Sequence, residues 1–148
     1  MKNLYSYSLG KDFGPRFENS FIELWVYDGK SEQERYEVSK EIKALMPEDK
    51  HGVTSFTEWV VMCRPTIKIF IDTADNPLYR AFITIPHEIE HAVGTGLMGR
   101  LESFKIKDIR PGCEKLAHFR GILTFSFQSA YLKYMGMAVT KRRKNEEK

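Results

Sequence analysis

The chain is short of cysteine, has no long apolar run, and carries almost no net charge outside its last eight residues. Each shortage excludes something. Two cysteines in 148 residues, Cys63 and Cys113, are too few for a disulfide framework and fit reduced thiols in a cytosolic compartment. No stretch approaches the roughly 20 consecutive apolar residues that a bilayer span needs. The opening "MKNLYSYSLGKDFG" lacks the apolar core of a secretory signal, so the expectation is a soluble, cytoplasmic protein. The formal charge of +3 is supplied by "KRRKNEEK" (141–148), which holds five basic and two acidic side chains. The other 140 residues balance at 18 basic and 18 acidic. A neutral body with a short basic tail makes a poor surface for a polyanion, so nucleic acid is not an expected partner. Repeats, low-complexity segments and linkers are also missing. Residues 1–140 are therefore expected to form a single domain, with 141–148 a disordered tail.

What is present points to an α+β fold. "SFIELWVY" (20–27), rich in aromatic and β-branched residues, predicts a strand. "SEQERYEVSKEIKALM" (31–46) predicts a helix, opened by a Ser31/Glu34 capping box and closed by Pro47, with Val38, Ile42, Leu45 and Met46 on one face. "SFTEWVVMCR" (55–64) and "TIKIFID" (66–72) predict two more strands, the second with Ile67, Ile69 and Ile71 on one side. A helix follows, starting near Pro77 or as late as Thr84; Pro86 suits the later start, because proline is tolerated in a first turn. Residues 99–112 carry no clear signal, and 114–134 predict a last long helix. The order strand, helix, strands, helix, helix suggests a small mixed sheet packed on helices.

The chemistry concentrates in "PHEIEHAVG" (86–94). On a helix, His87 and His91 lie one turn apart and can aim their imidazoles at one point, where neutral nitrogen is a good zinc ligand. Glu88 is rotated by about 100° and cannot join them comfortably, but it can reach a water held by the metal. That is the division of labour of a zinc hydrolase, with Glu88 as general base. Chance would place such a pattern in a chain of this composition only about once in a hundred. Ile85, Ile89, Ala92 and Val93 fall on the opposite, core-facing side, and Gly94 suggests close approach of another group on the ligand side.

A catalytic zinc needs a third protein ligand. Leu97 stands where a metzincin would have its third histidine, so that arrangement is disfavoured. In "GCEKLAHFRGILTFSFQSAYLKY" (112–134), Leu116, Phe119, Leu123, Phe127, Ala130 and Tyr134 gather on one face, with Glu114, His118 and Gly121 opposite. Glu114 is the preferred third ligand. His118 could orient a ligand, donate to a reacting oxyanion, or replace Glu114. Cys113 points elsewhere on that helix, and Cys63 reads as a core residue. Tyr79, Tyr131 and Tyr134 could polarise a carbonyl, but packing is their default role.

With "HEIEH" followed by a glutamate on a later helix ("EKLAHFRGILT"), residues 55–134 resemble the gluzincin arrangement of the zincin metallopeptidases. The likeness is to short phage-encoded and bacterial proteins of that type. The resemblance implies a minimal zincin-like domain with Zn2+ held by His87, His91 and Glu114, and Glu88 as base. It implies a peptide or protein substrate paired along "TIKIFID" or its neighbouring strand. A phage origin would place the protein in the host cytosol. The competing expectation is a non-enzymatic protein that binds a host partner on the same scaffold.

Overall fold

The computed structural model describes residues 1–45, 51–56, 66–103, 106, 109, 110 and 112–137. Four strands, β1 (Lys2–Ser8), β2 (Phe21–Tyr27), β3 (Gly52–Phe56) and β4 (Thr66–Asp72), form one sheet in the order β1-β2-β4-β3. The outer pairs are antiparallel and the central β2–β4 pair is parallel, with Ile22 opposite Ile67 and Val26 opposite Ile71. The parallel pair exists because the chain crosses over between its strands through a helix, α2 (Glu32–Ile42). A short helix, α1 (Gly10–Phe13), and a 3₁₀ turn join β1 to β2. The fold is thus mixed α+β, as expected, with β1 an addition the sequence pattern did not reveal. Its alternation is weak because it is an edge strand, mostly exposed or half-buried.

Period-2 alternation decides which helix each face of the sheet receives. Ile22, Leu24, Val26, Ile67, Ile69 and Ile71 point to one side and build the main core. Tyr27 and Phe70 point to the other, where they meet Val38 of α2. Ser31 caps α2 as expected, its hydroxyl accepting the Glu34 N–H at 3.3 Å. The reciprocal half of the capping box is not made, since the Glu34 carboxylate binds the amino terminus of Met1 at 2.6 Å. The helix also ends early. Lys43 takes a left-handed conformation (φ 55°), which leaves Leu45 91% exposed rather than on a buried face. Met46 and most of the predicted strand 55–64, Cys63 included, lie outside the described residues, as does the tail 141–148.

Residues 77–103 form one uninterrupted helical run. It comprises α3 (Pro77–Tyr79), a π-helical stretch (Arg80–Thr84), α4 (Ile85–His91), a second π stretch (Ala92–Leu97) and α5 (Met98–Ser103). The earlier of the two predicted starts is the observed one. Asn76 caps it, its side-chain oxygen accepting from Leu78 N (3.0 Å) and Tyr79 N (3.3 Å), and Thr84 makes no cap. Pro86 would normally clash with the carbonyl of residue 82. That carbonyl lies in the first π stretch, whose wider turn makes room for the ring. Ile85, Ile89, Val93 and Leu97 anchor the run in the main core.

The last helix, α6 (Glu114–Tyr134), lies antiparallel beside this run. Arg120 meets Glu90 at 2.9 Å, and the Gln128 amide donates to the Ala81 carbonyl at 3.0 Å. Leu116, Phe119, Leu123 and Phe127 are buried as expected. Tyr131 is buried and Tyr134 is not. Eighteen residues are five full turns, so Tyr134 keeps the azimuth of Leu116; it is exposed as the last residue of the helix.

Candidate metal and hydrolase site

The sheet and α6 hold α4 from below, so its outward face is free. Tyr79, Ile83, His87, His91 and Thr95, each four residues from the next, are all exposed. On a uniform α-helix every step of four overshoots a turn by about 40°, and the set would spread across roughly 160°. The two π stretches on either side of α4 have wider turns, which absorb part of that drift and keep the residues aligned.

On this face the two histidines converge. Their Nε2 atoms are 3.2 Å apart, and the rings stand nearly perpendicular, with centroids at 4.8 Å. Two nitrogens bound to one tetrahedral zinc at about 2.0–2.1 Å would be separated by about 3.3–3.4 Å. The pair therefore fits a single cation with almost no movement. His87 is 66% exposed on its side chain, so solvent reaches the pair.

Glu88 behaves oppositely. It is 5% exposed and tucked between α4 and β3. The Thr54 hydroxyl lies 2.8 Å from Glu88 Oε1, while Oε2 stands 3.9 Å from His87 Nε2. The carboxylate thus borders the place where the imidazoles meet without belonging to it. Strand β3 comes this close because residue 52 is glycine. A Cβ there would lie 2.6 Å from Thr84 Cγ2 and 3.2 Å from Glu88 Cγ. Gly94 and Gly121, by contrast, border open space, so the expected close approach at Gly94 is not found; it occurs at Gly52.

The structure does not bring the other predicted residues to the pair. Glu114 and His118 are exposed on α6 and border an open depression with Ala117, Gly121, Ile122 and Phe125. Among the described residues, no group of three or more His, Cys, Asp or Glu side chains is placed to share a metal ion. His51 is engaged elsewhere, its Nδ1 3.1 Å from the buried Asp72 carboxylate. Asp72 also accepts the N–H groups of Gly29 (2.8 Å) and Ala74 (2.7 Å), and its carbonyl accepts the Tyr131 hydroxyl at 2.9 Å. This knot ties the ends of β2, β3 and β4 to α6.

Tyrosine ionisation reflects the same interior. Burial pushes Tyr131 up to about 12, with Arg80 pulling the other way and Asp72 adding to the rise. Burial likewise raises Tyr27, reinforced by Asp72. Both tyrosines are neutral structural groups at physiological pH, in keeping with a packing role for Tyr131. Cys113 precedes α6, and backbone hydrogen bonds, led by that of Leu116, lower its thiol pKa.

Sequence reasoning missed Thr54 and Gly52. Their role depends on which strand crosses the motif helix, and residue type and spacing carry no trace of that. The strand "TIKIFID" is also not an edge, since β4 is paired on both sides; its neighbour β3 pairs only with β4 among the described residues. No helix among the described residues is long and apolar enough to cross a membrane. No family model, curated protein or solved structure matches the chain.

Proposed function

We propose that the chain is a zinc-dependent hydrolase of peptide bonds, built on a minimal zincin-like domain of the gluzincin kind and acting in the cytosol. The observation that carries this is the 3.2 Å approach of the His87 and His91 Nε2 atoms beside the buried carboxylate of Glu88. Zinc bound there would acidify an adjacent water and polarise a carbonyl oxygen. His87 and His91 would hold the cation. Glu88 would accept the water proton at Oε2 and return it to the leaving amine. The edge of β3 that has no partner strand among the described residues runs beside α4 and receives an extended peptide by strand addition. Glu114 is assigned as the third ligand on its chemistry, with His118 as alternative. Both are exposed on α6.

Metal content by mass spectrometry, on protein purified without a metal-affinity tag, tests the assignment. We expect about one zinc per chain; less than about a tenth of an equivalent, with no affinity on titration, ends it. Glu88→Gln should retain zinc and abolish cleavage of a fluorogenic peptide mixture. His87→Ala should lose both.

A second reading, a non-catalytic protein that binds a host partner, is favoured by one observation. Leu78, Tyr79, Phe82 and Ile83 all stand about half exposed on the helical run ahead of the histidines. If Glu88→Gln leaves the protein's effect in its native setting intact, that reading prevails.

A further inference from the structure

We propose that Thr54, on the edge strand β3, is the positioning residue for Glu88, fixing which carboxylate oxygen takes the proton. This rests on the hydrolase reading above and assigns the site a component from outside its helix. The Thr54 hydroxyl has one proton and two acceptors in reach, Glu88 Oε1 at 2.8 Å and the Glu88 carbonyl at 3.1 Å. The carbonyl is already engaged by the Ala92 N–H of the helix, so the hydroxyl proton goes to the carboxylate. The contact to the carboxylate oxygen is also the shorter of the two. Oε1 is thereby pinned to the strand. Oε2 has no hydrogen bond from Thr54 and faces His87 Nε2 at 3.9 Å, the direction from which a water beside the cation would approach.

Gly52 completes the arrangement. Its missing side chain leaves space beside Oε2, where a Cβ would stand 3.4 Å away, and lets β3 settle onto Thr84. One face of β3, residues 52 and 54, is thus devoted to the base, while the strand's edge away from β4 is the place proposed for the substrate backbone. A carboxylate with one oxygen tied back has a single productive orientation, whereas an untethered one must find it by rotation. The Thr54 side chain is tied to Glu88, so the effect of replacing its hydroxyl runs through Glu88.

Two measurements test this. In metal-free protein, a double-mutant cycle between Thr54→Val and Glu88→Ala is read from urea midpoints. The two changes should be clearly non-additive, because each removes one end of the same hydrogen bond. In zinc-loaded protein, acetohydroxamic acid is titrated by calorimetry. This probe chelates the cation through its two oxygens and must hand its N–O–H proton to Oε2, so its affinity reports on the base without turnover. We expect Thr54→Val to weaken it by about tenfold or more at unchanged zinc affinity, and Thr54→Ser to stay within about threefold of wild type. Additive midpoints overturn the pairing. Unchanged hydroxamate affinity in Thr54→Val overturns the positioning role even if the pairing holds. Failure of the wild type to bind zinc sinks the hydrolase reading, and a non-additive cycle in that case reduces Thr54 to a structural clamp.

Discussion

Helices α4 and α6 carry nearly the same pattern: a core stripe on one side and, on the other, two ligand-type residues one turn apart followed by a glycine. His87 and His91 on α4, with Gly94 in the π stretch that continues it, make that second stripe, and Glu114, His118 and Gly121 make it on α6. The fold treats the two stripes differently. On α4 the imidazoles converge to 3.2 Å, with a buried carboxylate at their side and strand β3 laid against the helix. On α6 the stripe faces solvent with Ile122 and the 71% exposed Phe125 beside it. Amphipathic periodicity says which side of a helix leaves the core, not what stands across from that side. What separates the two is the second element: β3 packs against the carboxylate beside the pair on α4, while the imidazoles themselves stay exposed.

The largest test of this contrast is zinc titration. His87→Ala should weaken affinity by about a thousandfold, and Glu114→Gln by about ten- to a hundredfold if Glu114 is the third ligand. His118→Ala should change it by less than about threefold. Unchanged affinity in both α6 variants would leave α4 to bind metal without help from its neighbour. Next in size are the two faces of α6 itself. Phe119→Ala should cost about 3–5 kcal/mol in urea unfolding, whereas Phe125→Ala should stay within about 0.5 kcal/mol. A large loss at Phe125 would mean that the outward stripe is covered in solution. The smallest effect concerns Tyr131, which joins α6 to β4. Tyr131→Phe should cost about 1 kcal/mol at neutral pH, the value of a hydrogen bond to the Asp72 carbonyl. Its folded pKa of about 12 lies above the unfolded value of 10.0, so the stability linked to it is intact below pH 10 and falls as pH rises from about 10 to about 12. The variant should show a shallower loss across that window.

The legible part of the fold was the part encoded by local pattern. β2, β4 and α6 begin and end within a residue or two of expectation, because alternation over 66–72 and the apolar spacing over 114–127 leave little choice. β1 was not legible, since an edge strand buries too little to alternate. The early end of α2 was missed because a left-handed Lys43 has no sequence signal comparable to glycine. The continuous run 77–103 was half legible. Asn76 and Pro77 announce its start, but the π stretch that accommodates Pro86 depends on packing against the sheet and α6.

The motif itself determined that His87 and His91 would share a helix face and that Glu88 would turn away from them, since a fixed rotation per residue permits nothing else. Only the tertiary structure decided that Thr54 and Gly52 would meet Glu88, that Asp72 would take His51, and that Glu114 and His118 would face outward. The contacts among these join residues between twenty-one and thirty-six positions apart, and sheet order and helix packing set such distances. Intervals along the chain do not.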